Sequence, residues 1–488
     1  MRMPAICAAL TLALTPGLAG CGGGGGGGGD ASIHYDSLTP LEPTAGTWQT
    51  WIVADVPALR PPAPSDSDSD ATALELDALH ARALARTEIE EERIEFWNGG
   101  TARRWNELQL SLIALRSVSP PKAARGLALV SMAMYDAMVC AWDAKFAWLR
   151  ARPSTLDPTL PIHGVQPDVP SYVSERAAMS AAAAAVLHYL FPDPADAATI
   201  DALLLDAQDA DLDACIQFPS DVAAGVALGG AVGAQVLAHA ATDHGDDPQP
   251  AYVVSPVAGH WEPTPPGNVQ PPLLPGWGVV LTFLMESGQA LRPGPPPVYG
   301  SAEWNLQVQE VLDVSQTLTQ ERMDIADFWA DGPGTVTPPG HWDRIALDKA
   351  VAAGLNECRM ARMLAALGAA QHDAFVSCWE CKYFYDVERP ITSIRDLGAP
   401  WDTWLSYVTT PPFPSYPSGH SSTSGAASQV LGYLFPQDAT ELAMLANEAK
   451  DSRLYGGIHF TFDNDVGLSL GHAVGTLAIA RLAADGAP

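Results

Sequence analysis

Apolar residues recur along this chain at helical spacing, in segments separated by Pro- and Gly-rich breaks. Alanine-rich runs are long and β-branched runs are few, which favours helix over sheet. The pattern occurs twice. Ala124 to Pro153 aligns without a gap on Ala361 to Pro390, pairing Asp136 with Asp373, Trp142 with Trp379, Lys145 with Lys382 and Arg152-Pro153 with Arg389-Pro390. In the same register Trp105 falls on Trp342. Downstream, Tyr172 to Pro192 aligns on Tyr416 to Pro436, and Asp221 to Ala238 on Asp463 to Ala480, with Gly225, Gly229 and Gly233 on Gly467, Gly471 and Gly475. About four helices per copy make a four-helix bundle. The expected fold is therefore all-α: two tandem four-helix bundles from a degenerate internal duplication. The copies occupy residues 47–245 and 341–488, joined by a Pro-, Gly- and Trp-rich connection over 246–340.

Charge narrows the function. With 56 acidic against 26 basic residues the formal net charge is −30, which excludes nucleic acid as a partner. Any anion site must be a local concentration of positive charge. At the N-terminus, Arg2, the apolar stretch Ala5 to Pro16 and Leu18-Ala19-Gly20-Cys21 resemble a bacterial lipoprotein signal over residues 1–20. Cleavage before Cys21 and its acylation would follow, with residues 21–46 as a tether opened by Gly22 to Gly29. The expected location is export, with a lipid anchor on a bacterial membrane facing the periplasm or exterior. No other run reads as a membrane span. Beyond Cys21 five cysteines remain; Cys378-x-x-Cys381 reads as a local disulfide or as packed thiols.

The copies differ where chemistry would sit. The second has Pro417-Ser418-Gly419-His420 before a small-residue helix, where the first has Val173-Ser174-Glu175-Arg176. It has Ser452-Arg453-x5-His459 before the last helix, where the first has Ala210-Asp211 and then Gln217. Lys382 and Arg389 are seven apart, two helical turns, and so share a helix face, with Pro390 marking the helix end. Ser418 and Gly419 stand at a helix start whose N–H groups lack internal partners, an anion cradle. Arg453 adds a third cation with a planar donor fork. Three cations, neutral donors and two imidazoles suit a multiply charged tetrahedral oxyanion. One histidine binds its central atom and the other moves a proton. Lys145 and Arg152, without such neighbours, read as structural.

Lys382-x6-Arg389-Pro390, Pro417-Ser-Gly-His420 and Ser452-Arg453-x5-His459 together resemble the signature of the superfamily that joins vanadium haloperoxidases with type 2 phosphatidic acid phosphatases and bacterial class A acid phosphatases. The resemblance runs from about Trp105 to the C-terminus and is strongest from Phe328 on. It implies that His459 bonds vanadium, or is a phosphohistidine nucleophile, and that His420 is the acid/base. Lys382, Arg389, Ser418, Gly419 and Arg453 would hold the equatorial oxygens, with Lys382 also acting in catalysis. Trp379, three residues before Lys382, and Phe413, seven before His420, are similar to the fungal chloroperoxidase pattern and imply an apolar halide pocket. Core packing is the alternative for both, since Trp142 occupies the Trp379 position in the other copy. Asp331, in Phe328-Trp-Ala-Asp-Gly, resembles a residue that orients the motif arginine, here Arg453, although the segment is one residue shorter than the fungal one. The implied cofactor is vanadate and the implied partners are hydrogen peroxide and halide, oxidised to hypohalous acid. The rival reading is a phosphatase acting on a phosphate ester, and a third is a surface lipoprotein that only binds phosphate. Trp379, Phe413 and the duplicated architecture favour the peroxidase branch; the halide, the organic acceptor and the oligomeric state stay open.

Overall fold

The computed structural model describes residues 33–488; the segment read as a lipoprotein signal, Cys21 and the glycine run lie outside the described residues. Those described form an all-α structure with no strand, only two isolated bridges, His34 to Arg150 and His260 to Val387. The first half contains α1 (Asp70–Ala85), α2 (Glu88–Asn98), α3 (Thr101–Leu115), α4 (Pro120–Trp148), α5 (Pro153–Leu156), α6 (Glu175–Leu190), α7 (Pro194–Asp213) and α8 (Pro219–Ala240). The second contains α9 (Ala302–Gln316), α10 (Gln320–Phe328), α11 (Thr337–Ala352), α12 (Glu357–Tyr385), α13 (Pro390–Arg395), α14 (Gly419–Leu434), α15 (Ala439–Tyr455) and α16 (Thr461–Ala484).

The sequence sets the helix ends. Ser69, Thr87, Ser174, Asp193, Ser301, Thr319, Asn356 and Ser418 accept a backbone N–H from the first turn that follows them. Proline opens α4, α5, α7, α8 and α13, where its missing N–H costs nothing. The two 29-residue helices, α4 and α12, are rich in apolar and small residues and bury most of their length. They pack along each other and join the halves. The close approach needs glycine: a Cβ on Gly368 would stand 2.8 Å from the Ala128 Cα.

Contacts repeat between the halves, pair by pair. Asp136 accepts the backbone N–H groups of Trp51, Ile52 and Val53, and Asp373 those of Phe283 and Leu284. Trp105 Nε1 donates to Ser180 Oγ, and Trp342 Nε1 to Ser424 Oγ, each at 2.9 Å. Arg125 pairs with Asp243 and Arg362 with Asp485, both at 2.7 Å. A backbone bond from Tyr35 to Leu149 has its counterpart from Trp261 to Asp386.

These counterparts alter the expected boundaries. The stretch 246–340 is not a connection throughout, because α9, α10 and the start of α11 lie in it. α10 packs on α15 as α2 packs on α7. The irregular part runs from the end of α8 to α9, and it buries Trp261 and Trp277. Each half also has eight helices, counting short ones, instead of about four. The surplus helices are shorter than α4 and α12, a weaker signal.

α6 and α14 are each crossed at short range by α8 and α16. A Cβ on Gly229 would meet the Ala178 carbonyl at 2.0 Å, and one on Gly471 the Ser422 carbonyl at 2.1 Å. Among the described residues three helices, α4, α8 and α16, are long and apolar enough to cross a membrane by length and composition, which the sequence reading did not expect. Much of that apolarity is alanine and glycine; α4 is buried among other helices, and α8 and α16 turn their glycines onto α6 and α14. The five cysteines of the described residues are buried free thiols, so Cys378 and Cys381 are packed and not bridged.

Gly471→Ala is expected to lower the unfolding free energy by about 1–3 kcal/mol, the usual range for overpacking. The check is the denaturant midpoint at unchanged m-value; an unmoved midpoint would show that α16 can shift away from α14 freely.

Candidate active site

Two loops and three helices bring the motif residues together. Lys382 lies on the last turn of α12, which stops at Tyr385 because Asp386 takes a left-handed conformation, φ 53°. Arg389 is extended, φ −87° and ψ 154°, and caps α13. Lys382 and Arg389 therefore do not share a helix face, contrary to the spacing argument. Pro390 forces its predecessor out of helix, and Val387 is tied instead to His260. The turn still delivers both side chains to one place.

Lys382 is fully buried, and its Nζ donates to the carbonyls of Pro414 at 2.8 Å and Ser415 at 2.7 Å. Arg389 donates from Nε to the Phe413 carbonyl and from Nη1 to the Ile458 carbonyl, both at 2.8 Å, with His459 Nε2 3.2 Å from Nη1. Its Nη2 is buried with no hydrogen-bond partner in the protein. Arg453 donates from Nε to Ser452 Oγ at 2.9 Å, with Nη2 3.3 Å from the Ala326 carbonyl and Nη1 3.4 Å from His420 Nε2.

Burial governs the electrostatics. It pushes Lys382 down to about 7, Arg389 down to about 9 and Arg453 down to about 10, and Arg389 repels Lys382 further. Both histidines are held well below their ordinary value, first by desolvation, then by Arg453 at His420 and by Arg389 and Lys382 at His459. Both imidazoles are thus neutral at pH 7 in the absence of an anion. A cage of positive charge with an orphaned guanidinium nitrogen and a helix N-terminus fits a bound oxyanion, which would supply the missing counter-charge.

His459 is oriented from behind. Its Nδ1 is 2.9 Å from Asp463 Oδ2, which also accepts from Ser415 Oγ and from the Phe460 N–H. With Nδ1 donating to a carboxylate, Nε2 carries the lone pair, which faces the cage and Arg389 Nη1. Asp463 and Ser415 were not singled out from the sequence. The available signal was Asp463 standing four residues after His459 and recurring as Asp221 in the other copy.

Ser418 and Gly419 stand at the start of α14, as expected; Ser418 Oγ accepts the Ser421 N–H at 3.4 Å. Gly419 lies against the Trp379 ring, which a Cβ there would approach to 3.3 Å. Trp379 and Phe413 pack together, centroids 5.0 Å apart, beneath Lys382 Nζ at 5.7 and 5.1 Å. Trp379 is buried, yet both rings reach the wall of a pocket of about 570 Å³ that also touches His420, His459 and Arg453. Core packing and pocket lining are therefore one role for these two residues. Asp331 also lines the pocket, but its carboxylate accepts from His341 Nδ1 at 3.1 Å instead of from Arg453. Its charge still acts on Arg453, raising it against burial. Among the described residues no cluster of three His, Cys, Asp or Glu could hold a bare metal ion.

Asp463→Ala is expected to weaken orthovanadate binding about tenfold or more, as loss of a carboxylate behind a metal-ligating histidine does. Calorimetric titration of variant and wild type checks it; equal affinity would mean that His459 needs no support from Asp463.

Residues 362–445 and 439–485 match the family model of the VCPO second helical-bundle domain. Vanadium chloroperoxidase of Curvularia inaequalis is 31% identical over 128 residues, 21% of this chain and 21% of that relative's length. A bacterial vanadium-dependent iodoperoxidase superposes with a TM-score of 0.65 at 25% identity, covering 78% of this chain and 96% of the other. A bacterial vanadium-dependent chloroperoxidase in its holo form shares the fold, with a TM-score of 0.56 at 17% identity over 75% and 93% of the two chains. The buried cage, its two histidines and these likenesses agree: residues 362–485 resemble the second helical-bundle domain of vanadium chloroperoxidase.

Proposed function

We propose that this protein is a vanadate-dependent peroxidase that uses hydrogen peroxide to oxidise halide to hypohalous acid. The observation that carries the reading is the buried cage of Lys382, Arg389 and Arg453, left without a full counter-charge and faced by two neutral histidines. The names of the similar proteins supply vanadate and halide. Bound vanadate would act as a Lewis acid towards peroxide.

The rest of the work falls to the chain. His459, its Nδ1 held by Asp463, would offer Nε2 to the central atom. Arg389 Nη2, Arg453 and the Ser418–Gly419 helix start would hold the oxygens and spread their charge. Lys382, fixed by two carbonyls and held near neutrality in pKa, would place an ammonium hydrogen on the oxygen that halide attacks. His420 borders the pocket and is uncharged, so it can take a proton from peroxide and return one to the leaving oxygen. Trp379 and Phe413 give the halide an apolar wall.

The test is oxidation of iodide, bromide and chloride by hydrogen peroxide in phosphate-free buffer, with and without orthovanadate, alongside hydrolysis of p-nitrophenyl phosphate. Vanadate-dependent halide oxidation is expected, falling to the vanadate-free level in His459→Ala. Phosphate ester hydrolysis inhibited by vanadate, with no halide oxidation, would overturn the peroxidase reading in favour of a phosphohistidine at His459.

A further inference from the structure

The first half contains the frame of the same cage. Lys145 is fully buried, and its Nζ donates to the carbonyls of Pro170 at 2.8 Å and Ser171 at 3.0 Å, the counterparts of Pro414 and Ser415. Arg152 donates from Nε to Val169 and from Nη1 to Ile216, as Arg389 does to Phe413 and Ile458. Its Nη2, like that of Arg389, is buried without a hydrogen-bond partner. Asp221 accepts from Ser171 Oγ and the Phe218 N–H, as Asp463 does from Ser415 and Phe460. The cationic frame was thus retained, although the histidines were not.

What differs is the residue at the helix start. Where α14 begins with Gly419, α6 begins with Glu175. Its Oε2 lies 2.8 Å from Lys145 Nζ and accepts from Gln217 Nε2 at 3.2 Å; Gln217 holds the position of His459. Its own backbone N–H, the counterpart of the Gly419 N–H, also lowers the carboxyl. Burial by itself would raise this carboxyl; Lys145 and Arg152 outweigh it and hold Glu175 down at about 2. Arg176 and Asp211, in the places of His420 and Arg453, form a 2.9 Å ion pair, so the acid/base and the third cation are gone.

We infer that the first half is an oxyanion site whose ligand is the chain's own Glu175 carboxylate, and that removing this carboxylate opens the site to a free tetrahedral oxyanion such as phosphate. The lysine and the His459-equivalent side chain converge on one negatively charged group at the helix start. The second half leaves that space to a ligand by having glycine there. The inference extends the proposed oxyanion binding to the other half but needs no turnover.

Equilibrium dialysis of the whole chain against millimolar inorganic phosphate tests it, the readout being the difference in bound phosphate between Glu175→Ala and wild type. One additional phosphate per chain in the variant is expected, whatever number the wild type binds. An unchanged number overturns the inference. Wild type binding none while the variant binds one would count against the proposed function and not against this inference. If Glu175→Ala fails to fold in phosphate-free buffer, recovery of its folded state on adding phosphate supports the inference, and failure with phosphate present overturns it. Glu175→Gln keeps the side-chain volume and should bind no additional phosphate; an extra phosphate there would overturn the claim that this side chain fills the site.

Discussion

Buried positive charge is the constraint around which both halves are built. An ammonium or guanidinium taken out of water must regain hydrogen bonds and counter-charge from the protein or from a ligand. Lys382, Arg389 and Arg453 are fully buried. Backbone carbonyls from the loop before α14 and the loop before α16 accept two hydrogen bonds from Lys382 and two from Arg389. Asp463 and Asp331 supply part of the counter-charge, and Arg389 Nη2 stays unmet. A small oxyanion completes what the protein leaves incomplete.

The helices matter because they fix the loops that carry those carbonyls. α16 can lie within hydrogen-bonding range of α14 only because Gly467, Gly471 and Gly475 have no side chains to hold it off. That approach puts the Ser418 N–H on the Asp463 carbonyl at 2.9 Å and so joins the two histidine motifs. α12 ends in the left-handed turn at Asp386 that lets Lys382 and Arg389 reach the same point from different segments. Packing, register and site chemistry are therefore consequences of one arrangement, repeated at Leu149, Gly229 and Asp221 in the first half.

Much of this was legible in the sequence. The long apolar helices, their glycine spacing and the gap-free alignment of Lys145 with Lys382 are local patterns, and local patterns survive in one chain. The three motifs named His420, His459 and their cations because such a combination is rare. The rest was hidden for physical reasons. Spacing suggested a helix through Arg389, but a proline and a tertiary bridge ended it earlier. α9 has a short apolar stripe, Trp304, Val308, Val311 and Leu312, and α10 buries only Ala326; both were absorbed into the Pro-rich connection. Asp331 meets His341, a pairing that depends on how α10 and α11 fold back on each other. Glu175 looked like a lost motif residue, and only the three-dimensional frame shows it seated as an anion.

The most direct measurement is a crystal structure of the protein soaked with orthovanadate, located by anomalous scattering. The account predicts one vanadium peak per chain, bonded to His459 Nε2, with its oxygens on Arg389 Nη2 and the Gly419 N–H, and none beside Lys145. A vanadium bonded elsewhere, or an empty cage at saturating orthovanadate, would contradict it.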